Sequence, residues 1–171
     1  LEKYDQIKAI NKDLNINTHL ITSPSFKNRK NDKDLKVFSK LDKNFNKFIR
    51  KNFNINETLF VSFGPRWIFK KDLISKLMNN NLVNFHSSRL PLDAGGGGFS
   101  WRVMRNDRLG NCLVHLVDSG VDSGPILKNQ EFVFSKNCKT PKDFENENNL
   151  IFFEFYKKFV IKLKSKKKIN I

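Results

Sequence analysis

Along this chain short apolar runs alternate with longer amphipathic stretches, and that alternation leaves few architectures open. Segments of strand length that take turns with segments of helix length build a mostly parallel sheet covered by helices. "THLITS" at Thr18 to Ser23, "LKVFS", "ETLFVSFG", "NLVNFH", "NCLVHLVD" and "PILKNQEFVF" read as strands. Leu1 to Asn15 reads as a helix. "LDKNFNKFIRKNF" sets Leu41, Phe45, Phe48 and Ile49 at helical spacing, and "KKDLISKLMNN" sets Leu73, Leu77 and Met78 on one face. A further helix is expected from Phe99 to Asn106. The last follows Pro141, where Phe152, Phe155, Tyr156, Phe159 and Leu163 recur at three- and four-residue intervals as a core-facing stripe. The expected class is α/β, a mostly parallel twisted sheet with helices on both faces.

At 171 residues the chain suits a single domain, 1–171, with a basic tail at 162–171. No stretch approaches the run of about 18 uncharged apolar residues that a membrane helix needs, and the N-terminus lacks the order of a secretory signal. Cys112 and Cys138 form no CxxC and have no nearby histidine pair, so neither zinc nor another metal is expected and a reducing cytoplasm fits. The net charge of +15 raises nucleic acid as a partner. Only seven of the 32 basic residues are arginine, however, and a wealth of Lys, Asn, Ile and Phe beside just two alanines is the mark of AT-rich codons. Arginine, which forks onto phosphate and bases, is not enriched. Solvated surface lysine is the better reading, and a noncatalytic, basic nucleic-acid-binding domain stays as an alternative that explains the charge alone.

In an open parallel sheet, ligands sit beyond the carboxyl ends of the strands. Asn84 and His86 fall at such an end and, with side chains alternating at period two, project to one face. Asp118 and Asp122 come just past another strand, and "GPRWIF" ends a third, so three strand ends should converge on one rim. An amide N–H can hold a developing oxyanion, a neighbouring imidazole can donate to the same oxygen or move a proton, and a carboxylate within reach raises the imidazole pKa. This set suits acyl transfer through a tetrahedral intermediate. Ser87 and Ser88 lie in no G-x-S-x-G elbow and Cys112 reads as buried, so the attacking atom should belong to a substrate, such as an amine. His115, mid-strand, reads as a core residue. The glycines Gly95 to Gly98 lack the Lys-Ser/Thr of a phosphate-binding P-loop.

"NFHSSRLP", the downstream "DSGVDSGPIL" and their spacing resemble the folate-dependent formyltransferase family, whose motif runs N-x-H-x-S-L-L-P, a Gly-containing loop, a helix, a strand, and D-x-G-x-I. Asn84, His86, Ser88, Leu90, Pro91 and Gly95 match the first part, and Asp122, Gly124 and Ile126 the second. The resemblance implies a Rossmann-like fold and transfer of a formyl group from 10-formyltetrahydrofolate, without a metal, to a primary amine of a small molecule. Asn84, His86 and Asp122 are then the catalytic candidates. Phe63, Gly64, Trp67, Ile68, Asp118 and Val121 would line the cofactor slot, and Arg89, Gly95, Gly96, Gly97, Gly98 and Trp101 would lie along the acceptor's path.

Departures from the motif bear on the acceptor. Arg89 stands where the family has Leu, and Asp93-Ala94-Gly95 where R-G often follows the proline, both on the substrate side. An unusual acceptor, an amino-sugar nucleotide above all, is expected. With no room for the extra domain of methionyl-tRNA formyltransferase, tRNA is the lesser alternative, as is hydrolysis of the formyl donor by water. Relatives begin with a central strand before the first helix, so the sheet is expected to lack its first strand, leaving a gap between the strands at Leu20 and Phe60 of about 10 Å, twice the spacing of neighbouring strands.

Overall fold

The structure, a computed structural model, describes residues 2–24, 34–64 and 67–165. The 65–66 part of the "GPRWIF" loop and residues 166–171 of the basic tail lie outside them. The chain divides into two compact units, Leu1–Asn54 and Ile55–Ile171.

The first unit holds α1 (Glu2–Asp13), β1 (Leu20–Thr22), β2 (Leu35–Val37) and α2 (Lys43–Asn52). β1 and β2 pair in parallel, with Leu20 opposite Leu35. α2 begins where Asp42 can cap it, Oδ1 accepting from the backbone N–H of Asn44 at 2.9 Å and of Phe45 at 3.3 Å. Phe45 and Ile49, four residues apart, are its buried side. Phe38, just past β2, packs edge-on against Phe45 at a centroid distance of 5.3 Å.

The second unit holds β3 (Phe60–Ser62), β4 (Leu82–His86), α3 (Gly98–Arg105), β5 (Leu109–Leu116), β6 (Ile126–Val133) and α4 (Pro141–Ser165). Its strands lie in the order β3-β4-β5-β6, so β1 and β3 belong to separate sheets. β3 and β4 run parallel, whereas β4–β5 and β5–β6 are antiparallel. The sheet is therefore mixed where the strand pattern led us to expect mostly parallel pairing. A parallel return needs a crossover of about a dozen residues or more, and the connection from β5 to β6 makes a hairpin instead. "KKDLISKLMNN" forms a π-helical turn at Leu73–Leu77, with Leu73, Leu77 and Met78 buried. There the Met78 N–H reaches back five residues to the Leu73 carbonyl, at 3.1 Å.

α4 starts with a reciprocal cap. The Thr140 N–H donates to Asp143 Oδ2 at 2.8 Å, the Asp143 N–H donates to Thr140 Oγ1 at 3.3 Å, and Pro141 takes the first helical position. Its stripe of Phe152, Phe155, Tyr156 and Phe159 is buried as expected. Phe85, the next-to-last residue of β4, receives that stripe: its ring centroid lies 5.9 Å from that of Phe152, 5.2 Å from Tyr156 and 5.4 Å from Phe159. Strand alternation then fixes what the other side of β4 can do. With Phe85 turned to α4, Asn84 and His86 face away from the helix.

Removing the Phe152 ring should cost about 3–5 kcal/mol of stability, as large-to-small core changes do, while Leu150→Ala, 73% exposed on the same helix, should cost under about 0.5 kcal/mol. Urea denaturation of the two variants measures the difference, and equal losses would contradict this packing.

Candidate active site

Everything in this site belongs to the second unit. Asn84 pairs in register with His115 of β5, so both side chains stand on the face turned from α4. The Asn84 Nδ2 group lies 3.2 Å from His115 Nε2 and 3.5 Å from Asp122 Oδ1. Asp122 Oδ2 is 3.6 Å from His86 Nε2, and its Oδ1 is 3.7 Å from His115 Nε2. One carboxylate thus meets an amide and two imidazoles.

Asp122 reaches them by a route the strand pattern did not imply. Because β5 runs antiparallel to β4, its carboxyl end lies beside Val83 and not beside His86. The β5–β6 connection turns back over the sheet face to deliver the carboxylate. Gly124 makes that turn possible, since a Cβ there would sit 1.9 Å from the Leu116 carbonyl oxygen. Asp118 braces it, accepting from the Gly120 N–H at 3.1 Å and from the Ser123 hydroxyl at 2.6 Å. Asp122 itself takes a left-handed φ of 51°, which Asp tolerates better than most residues. Its Oδ2 also accepts the Gly95 N–H at 3.0 Å, tying in the glycine loop.

The protons of the cluster follow from these partners. His115 Nδ1 lies 2.8 Å from the Leu116 carbonyl, which only accepts, so Nδ1 carries the hydrogen. In the neutral ring Nε2 is then an acceptor, and it takes one Asn84 N–H while the other points to Asp122. Left over are buried polar atoms with no hydrogen-bond partner among the described residues: Asn84 Oδ1, His86 Nε2 and, on the strand beside them, Ser62 Oγ. Ser62 pairs in register with Asn84 and so shares its face. Buried polar atoms are almost always satisfied, and a row of exceptions on one face fits a ligand that brings its own donors and acceptors. Burial lowers the His86 pKa from its ordinary value; Asp122 pulls it up and His115 down, and burial prevails. The carboxylate was expected to raise this imidazole's pKa, and the net direction is the reverse. His86 is neutral near pH 7.

The other sequence candidates fall in different places. Phe63 is not at the rim: following Ser62, it turns to α4 and packs against Phe85 at 5.6 Å and Phe152 at 5.7 Å. Gly64, Ile68 and Val121 are exposed, Ile68 by 80% and Val121 by 71%, and Trp67 is half-buried. Asp118 is committed within its own loop. Arg89 is committed too, its Nε bonding Asp93 Oδ2 at 3.1 Å and its Nη2 bonding Asp107. The two departures from the motif, Arg89 and Asp93, thus answer each other. Gly96, Gly98 and Trp101 help line a recess of about 120 Å³ beside α3, and Gly95 and Gly97 are both at positive φ in the loop that forms it. His115, read as a core residue, is buried at 2% exposure with both ring nitrogens partnered, but its contact with Asn84 was not foreseen, and Ser62 was not singled out. A mid-strand histidine gives no signal of its own, and the pairing of each with Asn84 emerges only from strand register.

This geometry, on this mixed sheet, is the setting for the comparisons with known proteins. In fold, the chain matches phosphoribosylglycinamide formyltransferase from Bacillus halodurans with a TM-score of 0.79 and 18% identity, over 96% of this chain and 92% of that one. It matches a sugar N-formyltransferase from Shewanella sp. with a TM-score of 0.68 and 18% identity, over 93% of this chain and 63% of that one. The fold is the Rossmann-like fold of the formyltransferases.

In sequence, the chain is 30% identical over 135 residues to methionyl-tRNA formyltransferase of Mycoplasma genitalium, covering 71% of this chain and 42% of that protein. It is 28% identical over 90 residues to the enzyme of the same name from Thermodesulfovibrio yellowstonii, covering 53% and 28%. The chain therefore spans less than half the length of these curated relatives. No protein-family model matches it. The chain is a relative of the folate-dependent formyltransferases, and the resemblance read from its motifs is borne out.

Burial of neutral His86 has a consequence for stability. Its folded pKa is lowered, so the unfolded chain, titrating near about 6.5, binds a proton that the folded chain refuses. The sign follows: stability is unaffected above about pH 6.5, falls as the pH drops below it, and levels off once the folded imidazole also protonates. His86→Gln should flatten this dependence in urea denaturation just below about pH 6.5. An equally steep loss in the variant would contradict the burial.

Proposed function

We propose that this chain transfers a formyl group from 10-formyltetrahydrofolate to a primary amine. The observation that carries the reading is the meeting of Asn84, His86 and Asp122 beside buried, unpartnered polar atoms, on residues that match the formyltransferase motif. Those atoms also fit the donor: a polar, planar cofactor would satisfy Ser62 Oγ and Asn84 Oδ1, with exposed Val121 and Ile68 offering apolar contact. Bound there, it supplies the activated formyl carbon.

The chain's own residues then divide the work. Asn84 has a weak N–H contact to Asp122 at 3.5 Å and can turn that donor to the formyl oxygen as charge develops on it. His86, neutral, can accept a proton from the attacking amine through Nε2, which has no hydrogen-bond partner among the described residues, and return it to the donor's nitrogen as that nitrogen parts from the formyl carbon. Asp122 lies beside that nitrogen and stabilises the imidazolium that results.

Two acceptors remain in play. An amino-sugar nucleotide was the expectation from the departures at Arg89 and Asp93, but that pair bonds to itself and bears less on the acceptor. Methionyl-tRNA is the second reading, favoured by the names of the curated relatives and compatible with a net charge of +15. Release of tetrahydrofolate from 10-formyltetrahydrofolate, followed spectroscopically with amino-sugar nucleotides, methionyl-tRNA and water alone, separates them from each other and from hydrolysis. Loss of an oxyanion donor costs about 3 kcal/mol, near a hundredfold in rate, so Asn84→Ala should bind the donor normally and lose most turnover. A variant as fast as the parent would end the assignment.

A further inference from the structure

His86 is held at the carboxyl end of β4 by its strand pairing with Leu113, yet its Nε2 makes no hydrogen bond among the described residues that would fix the ring. Its position depends on the backbone that follows, Ser87 and Ser88. These two residues are held from both sides of the sheet, Ser87 by its hydroxyl and Ser88 by its carbonyl.

On the α4 side the grip is Asn148. This residue sits in the apolar line of the helix, between Phe144 and Phe152 at four-residue spacing, where only 1% of it is exposed. An amide at such a position costs stability unless both its ends are used. Both are: Nδ2 donates to Ser87 Oγ at 2.9 Å, and Oδ1 accepts from the Cys112 thiol at 3.8 Å. Alternation explains how it reaches. Ser87 follows His86 and, like Phe85, turns to α4. On the other side Asn111, 4% exposed, donates from Nδ2 to the Ser88 carbonyl at 3.3 Å.

We propose that Asn148 is a positioning residue for His86: through Ser87 it holds the turn after β4 from behind the sheet and so sets where the imidazole stands against Asp122. This rests on the formyl-transfer reading only for its kinetic consequence. A core helix that needed only apolar contact with the sheet would carry Leu at this point. Asn148 instead uses its amide on the residue next to the proposed base. A displacement of about 1 Å at such a group can cost up to about a hundredfold in rate.

The test uses the whole chain and four variants: Asn148→Leu, which keeps the branched outline and removes the amide, Ser87→Ala, Ser87→Thr, which keeps the hydroxyl, and the double variant Asn148→Leu/Ser87→Ala. Two readouts are taken, the rate of tetrahydrofolate release and the titration of His86 followed by NMR of its imidazole. The groups facing that imidazole are Asp122 and His115, and neither is altered. Asn148→Leu and Ser87→Ala should each lower kcat about tenfold or more with KM for the donor within about twofold. Each should also move the His86 titration up toward its ordinary value as the ring loosens into solvent. Ser87→Thr should restore both readouts, and the double variant should be no worse than either single change, as expected for one shared interaction. An unshifted His86 titration in a folded Asn148→Leu chain would overturn the proposal, whatever the activity. A parent chain that releases no tetrahydrofolate would instead overturn the formyl-transfer reading and leave the titration to decide this one.

Discussion

The carboxylate of Asp122 is the contact on which the site depends. It comes from a loop, not from the sheet, yet it touches three different parts of the backbone: Asn84 and His86 on β4, His115 on β5, and the Gly95 amide in the loop before α3. Remove it and the amide loses a partner, the imidazole loses the charge that favours its protonation, and the glycine loop loses an anchor. Its placement needs local concessions. Asp122 holds a left-handed backbone, and Gly124 leaves room for the Leu116 carbonyl where any Cβ would collide. Such concessions gather where geometry serves chemistry.

β4 separates two kinds of interaction with a single alternation. Phe85 joins the aromatic stripe of α4, where burial of rings supplies stability. Asn84 and His86, one residue to either side, carry polar groups into a space where several atoms have no hydrogen-bond partner among the described residues. The helix-facing half is therefore filled from within, while the other half leaves polar atoms unpaired among the described residues. Asn148 is the exception on the helix side, and it is fully used.

Much of this could be read from residue order. Period-two alternation put Asn84 and His86 on one face, the three- and four-residue recurrence of Phe152 to Phe159 gave α4 and its buried side, and the D-x-G pattern singled out Asp122 and Gly124. What escaped depends on partners distant in sequence. His115 is core, as read, but only the antiparallel register sets it opposite Asn84. Phe63 looked like a rim residue because it stands at the carboxyl end of the strand read in "ETLFVSFG", yet the pairing of Ser62 with Asn84 turns the next ring to α4. Arg89 and Asp93 looked like substrate contacts although their four-residue spacing allows the pair they form, and Asp107, which completes it, lies beyond α3. The mixed sheet was hidden for the same reason: strand pattern fixes which residues alternate but not the direction in which two strands meet.

The gathering of these groups on one carboxylate is tested most directly by the NMR titration of His86 in the parent chain and in Asp122→Asn, with no substrate present. Since Asp122 raises the pKa of an imidazole that burial lowers, the account predicts a parent value below the ordinary 6.5 or so and a still lower one in the variant. The same value in both chains would mean that the carboxylate and the imidazole do not meet, and the site described here would not stand.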